Sequence, residues 1–312
     1  MVGGGYDENP QLWDVAVLKF NPQGTKLLFV TYLGGQYSEV PHSSIVNSKG
    51  EILIFGTTSS RNFPMTTASY DNSFNGGQNI TAVNGMDYPV GSDIFIAKIG
   101  PNGDQLLGAT YLGGSGNDGL NLTRSNLTIR NYGDEYRGEI VTDAQDNVYI
   151  ASVSGSSDFP LMNTSQTTRK GTYDAVIAKL DKNLNTLLWS TYLGGDGYDA
   201  GYSIKVAASG NIYVCGVTNS TNLRGNSSAT VNKTTLTGSE DGWVAKYASN
   251  FQQVAVSYVG TDGVDAAQLL DLDADENVHI IGLTNGKYAV STGVYQNANS
   301  GQFIHALDKD LN

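Results

Sequence analysis

The chain has 312 residues, a formal net charge of −12 and a single cysteine. A surface this acidic disfavours nucleic acids and anionic membrane surfaces as partners. One cysteine excludes an internal disulfide framework, and no apolar run is long enough to predict a membrane-spanning helix. With 38 glycines and 18 tyrosines, the composition favours short strands joined by tight turns.

In chain order, the most regular feature is a repeated strand ending. The letters TYLGG occur three times, and a fourth copy is altered to SYVGT, at residues 31–35, 110–114, 191–195 and 257–261. A strand-like motif of the type DAVIAKL precedes each copy, and a two-strand hairpin pattern follows it. The order of these motifs is constant, which is typical of a repeat architecture.

Each unit is predicted to form four strands. In DAVIAKL, beginning at Asp174, alternate residues face opposite sides, as expected of a strand. The double glycine of TYLGG ends the pairing and can adopt the positive φ that lets the chain leave the sheet. Each TYLGG therefore marks the place where one four-stranded sheet ends and the chain crosses to the next.

Tandem four-stranded units predict an all-β fold, a β-propeller of four-stranded antiparallel blades. We expect one propeller segment over 1–312, with a partial blade at 13–35, full blades at about 41–114, 138–195 and 202–260, and a partial blade at 266–312. About five blades are represented, and joining the two partial blades at the ends into one closing blade would leave one strand to spare. We expect a segment of a larger propeller in a longer chain; a closed ring with a spare strand is the alternative.

Several linked motifs resemble one known repeat. TYLGGSGND, TYLGGDGYDAGYS, GNIYVCGVTNS, SRNFPMTTASYDNSFNGG and DAVIAKLDKN are similar to the bacterial β-propeller repeat called SBBP. NYGDEYRGEIVTDAQDNVYIAS and YQNANSGQFIHALDKDLN resemble a subgroup in large secreted Bacteroidetes proteins, which often end in a gliding-motility-associated, type IX secretion sorting domain. The resemblance implies a propeller, often seven-bladed, and export to the cell surface. It implies no catalytic residues.

One acidic run suggests a metal. In DLDADEN the carboxylates alternate at Asp271, Asp273 and Asp275, a spacing at which loop carboxylates can converge on Ca²⁺. The equivalent turns in the other units lack this pattern, so a solvated hairpin turn is the alternative. No other cofactor is predicted.

Two further sets of polar residues recur in every unit. An acid follows each strand ending, at Glu39, Asp118, Asp199 and Asp265. Repetition favours a structural role, and we expect these acids to accept backbone N–H bonds in the crossover between blades. The recurring lysines of the DAVIAKL-type motif are expected to cover apolar strand surface with their stems.

Two insertions break the repeat, near residues 76–92 and 120–139. Long loops on a rigid scaffold often carry binding residues. Tyr88, Arg130, Tyr132 and Tyr136 could form a polar-aromatic patch for a glycan or a protein. Loops that only cover the propeller rim are the alternative.

The sequence favours a non-enzymatic function. The three histidines, His42, His279 and His305, fall in different units, and no metalloprotease, nucleophile-elbow or P-loop motif is present. We expect an extracellular scaffold or interaction propeller of a large secreted or cell-surface protein, acting in adhesion, surface display or motility-linked attachment, with a protein or glycan partner. A glycan-binding propeller is the alternative, and a propeller lyase or hydrolase is a third class.

Overall fold

The computed structural model describes residues 12–82, 85–122, 134–224, 228–297 and 300–312. These residues form an all-β protein whose sheets are the antiparallel blades of a β-propeller, so the predicted fold class is confirmed. Within these ranges, no helix has the length and apolar character needed to cross a membrane.

The strands follow the repeated motifs closely. In chain order they are β1 (Val15–Phe20), β2 (Leu27–Leu33), β3 (Glu39–Val46), β4 (Ile52–Thr58), β5 (Ile80–Thr81), β6 (Asp87–Tyr88), β7 (Asp93–Ile99), β8 (Leu106–Leu112), β9 (Glu139–Thr142), β10 (Val148–Ser154), β11 (Asp174–Leu180), β12 (Leu187–Leu193), β13 (Asp199–Val206), β14 (Ile212–Thr218), β15 (Asp241–Tyr247), β16 (Gln253–Val259), β17 (Asp265–Leu272), β18 (Val278–Thr284) and β19 (Gln302–Leu307). A short 3₁₀ helix, Asp134–Tyr136, precedes β9.

Five successive sheets make up the blades. Blade 1 contains β1 and β2; blade 2 contains β3, β4, β7 and β8; blade 3 contains β9 to β12; blade 4 contains β13 to β16; and blade 5 contains β17 to β19. Neighbouring strands within each blade are antiparallel. Strands β5 and β6 form a separate small hairpin inside the loop that joins β4 to β7.

Each pair of neighbouring blades shares a hydrophobic core. On β11, Val176 and Ala178 pack in a cluster with Ile94 and Ile96 of blade 2. The alternate residue Ile177 packs instead in a cluster with core residues of blade 4. Both faces of a central blade are therefore buried, which explains why its third strand is apolar at nearly every position.

A buried acid ties each blade to the one before it. Asp199, at the start of β13, accepts the N–H of Gly195 at 2.8 Å through Oδ2, just after β12 has ended. Its carboxylate also accepts the hydroxyls of Thr218 at 2.5 Å and Ser220 at 2.8 Å, at the end of the second strand of blade 4. The same backbone bond recurs from Gly35 to Glu39, Gly114 to Asp118 and Thr261 to Asp265. The predicted structural role of the recurring acid is confirmed.

A second acid lies beside the first at these joints. Asp93 begins β7, and a Cβ atom at Gly113 would stand 2.5 Å from Asp93 Oδ1 and 2.9 Å from Asp118 Oδ2. Gly113 is therefore needed for the space between two carboxyls. The predicted positive φ at the double glycine is wrong, since neither glycine of TYLGG adopts one. Burial, and then the neighbouring Asp118, raise the pKa of Asp93 to about 8. Burial raises the pKa of Asp199 to about 7, with a smaller contribution from Asp174.

The tyrosine of TYLGG clamps the loop that follows the second strand of its own blade. Tyr192 Oη donates to the carbonyl of Ser156 at 2.7 Å and accepts the N–H of Phe159 at 3.1 Å. Tyr111 and Tyr258 make the same two bonds in blades 2 and 4. All three rings are buried, so each hydroxyl satisfies two backbone groups that water cannot reach.

The recurring lysines connect blades through their ammonium groups. Lys98 Nζ donates to the carbonyl of Lys182 at 2.7 Å, and Lys246 Nζ to Asp310 at 2.8 Å. Both acceptors lie in the turn after the third strand of the following blade. Lys179 instead pairs with Asp143 of its own blade, at 3.1 Å. The aliphatic stems of Lys98 and Lys246 are buried, as predicted. Their ammonium groups also form hydrogen bonds, which the sequence did not predict.

We expect Tyr192→Phe to lower the free energy of unfolding by about 1–3 kcal/mol, because two buried backbone groups lose their partner. Tyr32→Phe is the matched control, since the Tyr32 ring is 41% exposed in blade 1. Chemical denaturation of both variants measures the difference. Equal stability of Tyr192→Phe and the unaltered protein would contradict the clamp.

We expect the thermal midpoint to fall between pH 6.5 and 8.5. The pKa values of Asp93, Asp199 and Glu39, at about 8, 7 and 7, are raised above those of ordinary carboxyls. These groups hold protons in the folded state that the unfolded chain has already released, so stability is lost as pH rises through the folded pKa values. Asp93→Asn should flatten this slope. A midpoint that stays level or rises over the same interval would contradict the raised pKa values, because acids already ionised in the fold give no loss of stability there.

Candidate functional site

A cavity of about 580 Å³ lies where the first strands of the blades come together. Every blade contributes to its wall, through Trp13, Glu39, His42, Glu139, Tyr202 and Leu269. A propeller places the first strand of each blade around its centre, so these residues meet although they are far apart in the sequence.

Glu139 is the best-bonded charged group in this wall. Its Oε2 atom accepts the Ser203 hydroxyl at 2.5 Å and the Ile204 N–H at 2.9 Å, both on the neighbouring blade. Its Oε1 atom accepts from the ammonium of Lys205. A bulge in β13 just before Ser203 brings these donors together. Glu139 is thus neutralised by an ion pair and acts as a bridge between blades 3 and 4.

His42 contributes a neutral imidazole. Its Nε2 atom lies 2.8 Å from Thr57 Oγ1, and its ring packs edge-on to Phe55 at 5.0 Å between centroids. Burial lowers the pKa of His42 to about 3. The Nδ1 atom is buried and has no hydrogen-bond partner among the described residues. At neutral pH the imidazole is therefore uncharged and carries one ring N–H, where an imidazolium would carry two.

Glu39 belongs to the cavity and to the first blade joint. It accepts the N–H of Gly35 at 2.8 Å and the Thr58 hydroxyl at 2.6 Å. Burial raises its pKa to about 7, and the nearby Asp14 adds a smaller increase. The raised pKa therefore has the same origin as those at the other joints, and repetition assigns it to the fold.

The first insertion folds over one side of the cavity. Tyr88 is fully buried and Tyr136 is 8% exposed; both pack with Met86 and Leu120 in a small core. The Tyr88 hydroxyl lies 3.5 Å from the sulfur of Met86. Tyr88 is therefore a packing residue and does not belong to an exposed patch, whereas Tyr136 also reaches the cavity wall.

Two of the four residues predicted for the binding patch, Arg130 and Tyr132, lie outside the described residues. Their role in binding a partner stays a prediction. Tyr88 does not contribute an exposed ring to the predicted binding patch. Its ring fills the small apolar core that it shares with Met86, Leu120 and Tyr136.

The residues predicted as a Ca²⁺ site, Asp271, Asp273 and Asp275, lie at a hairpin turn, which was the alternative interpretation. Asp273 Oδ1 accepts the N–H groups of Asp275 and Asn277, each at 2.9 Å. Asp143 makes the matching turn in blade 3. In the part of the chain that the structure describes, no group of three acidic, histidine or cysteine side chains could hold a metal ion. The carboxylate that should bind the metal is used to close the turn.

The other two histidines lie on blade 5. His279, on β18, is 3.5 Å from Asp273. His305, on β19, lies 2.7 Å from the hydroxyl of Tyr288. Neither contributes to the cavity that His42 lines.

Sequence reasoning missed most of the cavity wall. Trp13, Glu139, Tyr202 and Leu269 sit in four different blades, and no local motif connects them. Only the position of Glu139, Tyr202 and Leu269 on first strands could have pointed to the propeller centre.

We expect the thermal midpoint to be the same with excess Ca²⁺ and with excess chelator. Asp273→Ala should lower stability by the same amount in both conditions, because the loss comes from the turn bonds. A Ca²⁺-dependent rise that Asp273→Ala abolishes would restore the metal site.

Residues 188–224 match the family model SBBP, a beta-propeller repeat. The matched segment runs from β12, through the strand ending and Asp199, to the loop after β14, so it contains one complete blade joint. No curated protein matches the chain. The chain thus carries an SBBP beta-propeller repeat.

Proposed function

We propose that this propeller is a non-enzymatic, extracellular interaction scaffold of a secreted or cell-surface protein, acting in adhesion, surface display or motility-linked attachment. Its mechanism is shape: rigid blades hold loops in a fixed arrangement for a protein or glycan partner. The likeness of its motifs to repeats of large secreted bacterial proteins supports this location.

The proposal rests on one observation: the polar groups with raised pKa values serve as structural hydrogen-bond acceptors. Glu39 and Asp199 have raised pKa values, which in an enzyme would mark acid–base candidates. Here they occur at the same place in successive joints and accept several structural hydrogen bonds each. Glu139 is likewise held by donors from the neighbouring blade.

A glycan is the second candidate partner, and the cavity favours it. Trp13 and Tyr202 line the cavity together with the polar side chains of His42 and Glu139. Aromatic faces stack on sugar rings, while polar side chains bond their hydroxyl groups.

Surface labelling of intact source cells tests the location. We expect a membrane-impermeant amine reagent to label the exposed Lys49, Lys182 and Lys309 equally before and after lysis. Lys98 and Lys246, 6% and 7% exposed, serve as internal controls because a folded propeller protects them. Labelling that requires lysis would contradict the extracellular role.

Binding to a glycan array tests the second candidate. If the protein binds a glycan on the array, Trp13→Ala should abolish that binding. Tyr295→Ala should leave it unchanged, because the Tyr295 ring is 94% exposed and lies outside the cavity. Absence of binding across a broad array would remove the glycan and leave a protein partner.

A further inference from the structure

The joint between blades 4 and 5 contains a buried lysine next to its carboxyl groups. The Lys233 ammonium lies 2.8 Å from Asp241 Oδ2. It also donates to Gly260 O at 2.9 Å and to Thr237 Oγ1 at 2.6 Å. The Asp241 side chain is fully buried, and that of Lys233 is 18% exposed. An amine and a carboxyl group are thus held in contact at a place that water scarcely reaches.

In blade 3 a side-chain amide occupies the same place. Gln166 Nε2 donates to Asp174 Oδ2 at 2.8 Å, and Asp174 begins β11 as Asp241 begins β15. The two partners are 8 residues apart in the sequence in both blades. An amide that joined Lys233 to Asp241 would therefore stand where the repeat already accommodates an amide.

A second carboxyl group lies beside the pair. A Cβ atom at Gly260 would lie 2.8 Å from Asp241 Oδ1 and 2.9 Å from Asp265 Oδ2, so both carboxyls border the same glycine. In the two preceding joints, Asp118 Oδ1 and Asp199 Oδ1 each accept a hydroxyl. Here Asp241 Oδ1 and Asp265 Oδ1 are buried and have no hydrogen-bond partner among the described residues. This joint therefore keeps two carboxyl oxygens that can accept or release a proton.

The surroundings of the pair favour its uncharged form. Burial disfavours charge on buried groups, and it raises the pKa of Asp241, although the neighbouring Lys233 opposes the rise. Transfer of one proton within the pair leaves an amine in contact with a carboxylic acid. The amine is then a nucleophile beside its electrophile, and the fold holds the two groups in a fixed arrangement.

We propose that Lys233 and Asp241 condense to an intramolecular amide bond, with Asp265 as the catalytic residue. Lys233 Nζ attacks Cγ of the protonated Asp241 carboxyl and forms the new C–N bond. Asp265 accepts a proton from the nitrogen and passes it to the departing hydroxyl, so that the C–O bond breaks and one water molecule leaves. Asp265 ends in its starting state, and the step needs no oxidant or reductant.

The intact mass of the full chain tests the bond. We expect the folded protein, after incubation at neutral pH, to be lighter than its sequence by one water molecule. Trypsin should no longer cleave after Lys233 and should release residues 225–246 as one looped peptide. A mass equal to that of the sequence would overturn the proposal.

Mapping the lost water excludes a second route to the same mass. A succinimide at Asp241–Gly242 would also remove one water molecule, but it would leave the Lys233 amine free. Trypsin would then cleave after Lys233 and release a lighter peptide at 234–246. That result would contradict the amide bond.

Lys233→Gln is the matched control variant, because it removes the amine and supplies the amide that Gln166 provides in blade 3. It should fold and keep the full mass of its own sequence. Asp265→Asn should form the bond about a hundredfold more slowly, since proton transfer is impaired. Equal rates in Asp265→Asn and the unaltered protein would show that Asp265 is not catalytic. The unaltered protein and Lys233→Gln decide the bond even if Asp265→Asn does not fold.

Discussion

The architecture depends on a carboxyl group buried at each blade joint. Asp199 and its counterparts accept the N–H of the chain as it leaves the previous blade. At Glu39, Asp118 and Asp199 the same group accepts hydroxyls from the end of the second strand. One side chain therefore satisfies buried polar groups of two blades, and removing it would leave several of them unpaired.

The same joint explains why the TYLGG strand ending contains glycine. A second acid, such as Asp93, stands next to the first, and only glycine at position 113 leaves space between them. Burial raises the pKa of both carboxyls, and Asp118 adds to the rise at Asp93, which is the origin of the expected dependence of stability on pH. The lysines add bonds across three joints. Blades joined in this way are suited to hold loops rigidly, as the proposed function requires.

The fold was predictable because its determinants are local and repeated. Strand alternation, the TYLGG ending and the recurring acid each appear in every unit, so one interpretation is tested several times within one sequence. The cavity was not predictable, because Trp13 and Glu139 meet only through the ring. Tyr88 was misassigned because sequence does not reveal that an insertion builds its own core. At Asp273 the sequence left a turn and a metal site open, because both use the same residue type.

The most direct test of the joint is the stability of Asp199→Ala against that of Asp262→Ala. Asp199 is fully buried, whereas Asp262 is an exposed acid of the equivalent loop one blade later. The account predicts that Asp199→Ala lowers the free energy of unfolding by about 2–5 kcal/mol, because Gly195 N–H and two hydroxyls lose their acceptor. Asp262→Ala should stay within about 0.5 kcal/mol of the unaltered protein. If denaturant unfolding shows the two variants to be equally stable, the buried acid does not hold the blades together.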